Sequence, residues 1–324
     1  MDKNKYKYIS TQGTKTTYVG GQAVIEGVMM RGRSMYAMAV RGTDGNIAVE
    51  ETDLNANKPA FFKLPVIRGV VSFVDSLVLG MKIITRSAEL AGFDEMDEEP
   101  SKFEKYLTDK FGDKKINDFI MGISVVVAIV FSVGLFMVLP VFAGNLFSRI
   151  EAIAQNTWAI GIIEGIARLV IFIGYIFLIS QNKDISRVYQ YHGAEHKTIN
   201  CLEHGEELTV ENVTKYSRFH RRCGTSFLVL VMLISMIFFL FVRTNDPLMR
   251  IASRVAFVPL IAGVSYEVLR WAGQSRSKFV EIVSYPGFKL QGMTTKEPEA
   301  AQIECAIAAM NAVIQKELAP KENV

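Results

Sequence analysis

The sequence predicts an α-helical membrane protein with about four transmembrane helices and a mixed α+β cytosolic portion built from the N-terminal segment, a central loop and a C-terminal helix. Three observations lead there. Half of the 324 residues are hydrophobic and only 21% are charged, a balance too apolar for a well-charged soluble surface. Four apolar runs, at 118–143, 158–180, 226–242 and 250–271, approach the ~20 residues that carry a helix across about 30 Å of hydrocarbon. Lysine and arginine are distributed unevenly among the segments that flank those runs.

Taken in order, residues 1–64 read as a β-rich cytosolic segment. Strand-like runs in "MYAMAVRGTDGNIAVEET" flank a Gly42-Thr43-Asp44-Gly45 turn, a hairpin signal. The N-terminus is basic with no apolar core behind it, so no cleavable signal is expected. Residues 65–92 carry Arg68, Asp75, Lys82, Arg86 and Glu89 as one charged stripe on an otherwise apolar helix. That pattern suits a helix in the membrane interface, or a helix packed on the soluble part. Residues 93–117 are an acidic linker, "DEMDEEP", followed by a basic juxtamembrane helix.

Residues 118–180 hold the first two spans, 181–225 a His/Cys-rich loop, and 226–271 the last two spans. Positive charge decides the orientation. Lys102, Lys105, Lys110, Lys114 and Lys115 precede the first span, and seven lysines and arginines from Lys183 to Arg222 fill the 181–225 loop. The other two connections carry only Arg149, and Arg243 with Arg250. Both termini and the 181–225 loop are therefore expected in the cytosol of a multi-pass protein of the cell membrane. The cysteines Cys201, Cys223 and Cys305 fall on that side too, where reduced thiols are the rule. Residues 272–324 end in an amphipathic helix with the stripe Ile303, Ile307, Met310 and Ile314, and Thr294 with Glu297 has capping-box spacing before it. A net charge of +3 gives no support to nucleic-acid binding.

The chemistry concentrates in "YQYHGAEHKTINCLEHGEEL". A helix from about Ile185 to Glu203, ending at Gly205, places His192 and His196 one turn apart on one face with Glu195 beside them. At about 100° per residue, Glu203 returns to within about 20° of His196, whereas His204 and Cys201 are turned away by about 80° and about 140°. Two imidazoles at i and i+4 can share a divalent ion such as Zn²⁺, and a nearby carboxylate can act as general base. The order His-x-x-Glu-His matches that of inverted zincin proteases, which take a third ligand from elsewhere. Glu267 and Glu203 are the candidates for that ligand.

Three readings stay open for the stretch: a catalytic metal, a structural metal involving His220 and Cys223, and an ordinary polar juxtamembrane helix. Within the spans, Glu164 and Arg168 at i and i+4 suggest a structural ion pair, or a polar pocket between the second and fourth spans. Arg221 and Arg222 offer an anion or lipid-phosphate contact. The glycine-rich "GGQAVIEGVMMRGR" lacks the order of a nucleotide-binding loop and reads as a tight loop packed on the domain.

Four separated stretches, "GGQAVIEGVMMRG", "YHGAEHKTINC", "FHRRCGTSF" and "MTTKEPEAAQIECAIAA", resemble the YqhQ-like family of bacterial multi-pass membrane proteins. The last departs mildly from a Leu-Thr-Thr-Arg-Glu-Pro form. The resemblance implies a bacterial inner-membrane location. Through the family's usual description as a predicted metal-dependent enzyme, it also implies His192, Glu195 and His196 as working residues. Two functions compete. One is a metal-dependent hydrolase at the cytosolic face, with Glu195 as base. The other is a non-catalytic scaffold or assembly factor that binds a protein partner through its cytosolic platform. A transporter is weaker without a convincing repeat, unless the chain forms oligomers.

Overall fold

The computed structural model describes residues 9–11, 14–16, 19–54, 59–92, 113–150, 156–220, 223–241, 246–274 and 277–318. The acidic stretch 94–100, lysines 102, 105 and 110, and Arg221, Arg222 and Arg243 lie outside them. The chain divides into two units. One comprises Met1–Phe93, Ile176–Val231 and Ala262–Val324, and the other Asp94–Tyr175 and Met232–Ile261.

In the first unit, β1 (Ile9–Thr11) pairs with β2 (Thr14–Thr16). Next, β3 (Gly20–Val24), β4 (Gly27–Arg31), β5 (Met35–Arg41) and β6 (Ile47–Asp53) form a four-stranded antiparallel meander in chain order. The Gly42–Gly45 turn closes the β5–β6 hairpin: the Gly42 N–H donates to the Asn46 carbonyl, and Asp44 Oδ1 accepts from the Asn46 N–H. The central strands are buried on both faces, which is why "MYAMAV" reads as a continuous apolar run. Alternation still sorts its side chains. Val28, Met30, Met35, Ala37 and Ala39 pack under α5 (Lys183–Glu203) and α10 (Ala300–Leu318). Met29, Tyr36, Met38 and Val40 turn the other way, toward Ile83 and Ala91 at the end of α1 (Ile67–Leu90) and beyond it. The edge strand β6 carries Glu50, Glu51 and Asp53, and Arg86 and Lys316 pair with them. Charge on an exposed edge discourages pairing with another chain.

Helix α1 packs on the first unit along one side and exposes apolar side chains on the other. Gly80, Ile83 and Ser87 are buried in the unit, while Val74, Leu77, Val78, Met81 and Ile84 are exposed. Its charges are engaged at both ends: Arg68 pairs with Glu267, and Arg86 pairs with Glu50 and Glu89. The Ile303–Ile314 stripe of α10 faces the sheet, but its start differs from expectation. Thr294 is the last residue of α9 (Lys278–Thr294), and its hydroxyl donates back to the Leu290 carbonyl. Half of such a box forms five residues later, where Gln302 Oε1 accepts from the Glu299 N–H. Thr294 fails as a cap because the preceding helix has already claimed it.

The second unit holds apolar helices. Helix α2 (Asp113–Val133) passes through a π-helical turn, Gly134–Val138, into α3 (Leu139–Phe147). Pro140 has no N–H to offer the Phe136 carbonyl one turn back, and that carbonyl accepts from Arg168 Nε at 2.9 Å instead. Arg168 lies on α4 (Thr157–Ile179). Three stretches, Gly122–Phe147, Trp158–Ile179 and Leu248–Trp271, are helices long and apolar enough to cross a membrane. The run at 226–242 is helical in α7 (Gly224–Leu240), but its apolar part, Leu228–Leu240, is shorter than a span. Three of the four expected spans are thus long and apolar enough among the described residues, and the third run is represented there by this shorter helix. Val125, Val126, Val127, Ile129, Val130 and Phe131 are all exposed along α2, a surface stable in lipid and costly in water.

Met310, fully buried between α10 and the sheet, gives a direct test of this core. Met310→Ala should destabilise the full chain in detergent by about 2–5 kcal/mol. Val49→Ala on the exposed edge strand should stay within about 0.5 kcal/mol. Thermal unfolding followed by circular dichroism reads both.

Candidate metal centre

Helix α5 is delimited by local chemistry. The Asn182 side chain accepts from the Asp184 and Ile185 N–H groups at its start, and Gly205, with φ +77°, follows His204, which caps its C-terminus. Between these ends the helix presents His192 and His196 together, with ring centroids 4.5 Å apart.

Each imidazole is oriented by a backbone carbonyl. His192 Nδ1 lies 2.8 Å from the Thr294 carbonyl oxygen, and His196 Nδ1 lies 2.5 Å from that of Arg218. A carbonyl can only accept, so in each neutral ring the proton sits on Nδ1 and the lone pair on Nε2. Cys223 Sγ stands 3.3 Å from His192 Nε2. It is also approached by the Thr225 hydroxyl at 3.2 Å and the Thr225 N–H at 3.4 Å. The residue immediately precedes α7. The His192, His196 and Cys223 ligand atoms lie within 4.8 Å of one another. Buried His196 Nε2 has no hydrogen-bond partner among the described residues.

Glu195 completes the cluster on the side of His192, with Oε2 3.9 Å from His192 Nε2. Burial pushes its carboxyl up to about 7, against the pull of His192 and a hydrogen bond from the Gly21 backbone. Gly21 is needed for space as well. A Cβ there would lie 2.6 Å from Glu195 Cγ and 2.8 Å from its carboxylate. The N-terminal glycine-rich stretch is therefore strand β3, and one of its glycines seats Glu195.

Gly193 has a comparable role on the opposite partner. A Cβ there would collide with the Lys296 carbonyl oxygen, so the backbone of 294–296 can cross α5 only at this residue. The crossing is fastened by the Lys296 N–H on the Tyr189 carbonyl and by Lys296 Nζ on Ser180 and Ser186. Other α5 side chains hold the loop that leads to Cys223. Lys197 Nζ donates to the Thr214 and Tyr216 carbonyls, and Asn200 Nδ2 donates to those of Ser217 and Phe219. Gln291 clamps both backbone groups of His220.

The remaining sequence candidates fall elsewhere. His220 packs against His196 and lies 3.5 Å from Glu203, so these two form a layer behind the centre. Glu267 is drawn to the Arg68 guanidinium and the Val66 N–H. His204 bonds the Asn200 carbonyl and faces Tyr216. Cys201 is core, and burial pushes its thiol up to about 11, a neutral group. Glu164 and Arg168 belong to the second unit. Gly21, Gly193, Lys197, Asn200, Gln291 and Thr294 were not singled out from the sequence as parts of the site.

The donor set suits a metal. Two imidazole nitrogens and a thiolate are ligands that zinc accepts, and in such centres each histidine typically donates its other nitrogen to a carbonyl or carboxylate. A tetrahedral zinc site would bring the donors to about 3.3–3.6 Å of each other, a modest contraction from their present spread.

The comparisons agree with the pattern of motifs. A family model described as "Protein of unknown function (DUF1385)" matches residues 64–316. The chain is 36% identical over 311 residues to "Uncharacterized protein YqhQ" of Bacillus subtilis (strain 168), covering 94% of each chain. No solved structure matches. The chain belongs to this YqhQ-like DUF1385 family.

Adjacent glycines offer a sharp test of the geometry. Gly21→Ala should destabilise by about 1–3 kcal/mol through overpacking against Glu195. Gly20→Ala, with nothing within 4 Å of its added Cβ, should be near neutral. A comparison of thermal midpoints of the two variants decides it.

Proposed function

From membership of this family, we propose that the protein is a multi-pass membrane enzyme whose His192, His196 and Cys223 hold a divalent metal ion, Zn²⁺ by preference, and that it acts as a hydrolase. The observation that carries this reading is the pair of imidazoles whose Nδ1–H groups are fixed on backbone carbonyls, leaving both Nε2 lone pairs beside the Cys223 sulfur. Lewis-acid activation of water or a carbonyl is the chemistry such an ion supplies when bound. Glu195, buried and 3.9 Å from His192 Nε2, is the group placed to accept and return a proton at its carboxylate. Lys197 and Asn200 bind no substrate in this reading. They hold the 214–220 loop so that Arg218 orients His196 and the chain delivers Cys223. With three long apolar helices, α7 as a fourth and shorter crossing, and the charge bias of the loops, we place the protein in the bacterial cell membrane with both termini and this centre on the cytosolic side.

A second reading has its own support. His196 and Cys223 are buried, as structural metal sites are, and the cluster ties α5 to the 218–223 and 294–296 segments. In that case the ion stabilises a platform that docks a protein partner, and the protein serves as an assembly factor.

Elemental analysis of the purified full chain should find about one zinc per chain. The content should fall by at least about tenfold in His196→Ala and Cys223→Ala, as expected when one of three protein ligands is lost. Glu267→Gln should leave it unchanged. Metal-free wild-type protein, isolated without chelator, would refute both readings of the centre. Glu195→Gln separates them: retained metal with lost cellular function supports catalysis, and retained metal with full function supports the platform.

A further inference from the structure

A second polar cluster lies within the apolar helices of the second unit. Glu164 on α4 is shared by two arginines of α8 (Pro247–Gln274). Arg250 Nη1 donates to Oε1 at 2.6 Å, and Arg254 Nη2 donates to Oε2. The side chains of Glu164 and Arg254 are each 2% exposed. Arg168 joins them through Phe239, whose ring centroid lies 4.6 Å from the Arg168 guanidinium carbon and 5.2 Å from that of Arg254. The expected Glu164–Arg168 pair is therefore replaced. Glu164 serves α8, and Arg168 Nε serves the carbonyl beside Pro140.

The cluster is unbalanced in hydrogen bonding. Both carboxylate oxygens of Glu164 are occupied, by Arg250 and Arg254. Arg168 Nη2, Arg254 Nε and Arg254 Nη1 are buried with no hydrogen-bond partner among the described residues. Each unmet donor of a buried guanidinium carries a desolvation cost in an apolar helix bundle. Stacking on Phe239 occupies the faces of two guanidiniums and leaves their edges, where every N–H lies, for an acceptor. The chemistry that satisfies all of this is an oxyanion with several acceptor oxygens and at least one negative charge.

We propose that Arg168, Arg250 and Arg254 form an anion site that binds a phosphate group, either free or carried by a lipid. Its place on the helices favours neither source by itself. Arg250 and Glu164 lie about 5 and about 10 Å along their helices from the first residues of α8 and α4, at 1.5 Å per residue, so both are near helix ends. Glu164 acts within this site as an internal competitor that holds two of the arginines until phosphate arrives.

That competition makes the test discriminating. Full-length protein in phosphatidylcholine nanodiscs is titrated with radiolabelled orthophosphate, and a parallel sample in nanodiscs containing phosphatidic acid is analysed for retained lipid by native mass spectrometry. One of the two probes should bind saturably at about one per chain. Arg254→Gln and Arg168→Lys should each weaken that binding about tenfold or more, the loss of one charge-assisted hydrogen bond or its geometry. Glu164→Gln should strengthen it by a similar factor, and no misfolded variant would do that. Saturable binding of neither probe to the wild type overturns the proposal. So does an affinity that Arg168→Lys and Glu164→Gln leave unchanged, whatever happens to the folding of Arg254→Gln.

Discussion

The candidate centre depends on one crossing of the backbone. The chain between Thr294 and Lys296 is laid over α5 at a residue with no side chain, Gly193. The Lys296 N–H is thereby brought to the Tyr189 carbonyl, and the Thr294 carbonyl to the ring of His192. A methyl group at position 193 would lift this strand from the helix and take the orienting acceptor away from the histidine. The second histidine is held on the same plan, with Arg218 supplying the carbonyl. Lys197 and Asn200, one and four residues further along α5, supply the donors that hold the surrounding loop. A single helix thus organises two separate pieces of irregular chain by bonding their carbonyl groups.

Those carbonyls also set the cluster apart from a simple polar network. Because they accept and never donate, they drive both imidazole lone pairs toward the same small volume as the Cys223 sulfur. One proton can bridge His192 and Cys223, but His196 Nε2 is then left without a partner in a buried place. Burying such an acceptor costs about 1–3 kcal/mol. A cation shared among the three removes the cost in one step.

Much of this was legible in local periodicity. The 3.6-residue period placed His192 and His196 on one face and turned Cys201 away, and Cys201 indeed lies in the core. The Gly42–Gly45 hairpin was legible from its turn residues. What periodicity cannot encode is which distant group approaches a given face. The expected return of the fourth span to the cytosolic face offered Glu267 as a third ligand, but an arginine from the start of α1 meets it first. Cys223 appeared only as a candidate for a structural metal, because its approach depends on the loop that α5 holds. Gly21 looked like part of a tight loop, since nothing in its own neighbourhood announces a glutamate 174 positions later. Glu164 and Arg168 are correctly spaced for an ion pair, yet Pro140 leaves a carbonyl in need of a donor and two arginines arrive from another helix.

On the proposal that this unit spans a membrane, the rearrangement around Pro140 has a consequence for how the protein is made. A helix carrying Glu164 and Arg168 enters a bilayer alone at a cost of about 2.5–3.5 kcal/mol for each charged residue placed centrally. The helix with Pro140 brings a carbonyl lacking its usual donor, and the one with Arg250 and Arg254 brings two more charges. Each becomes comfortable in lipid only when the others are beside it. The helices of this unit are therefore poor candidates for one-by-one release from the insertion machinery. They should leave it as a group, after the last of them has been synthesised.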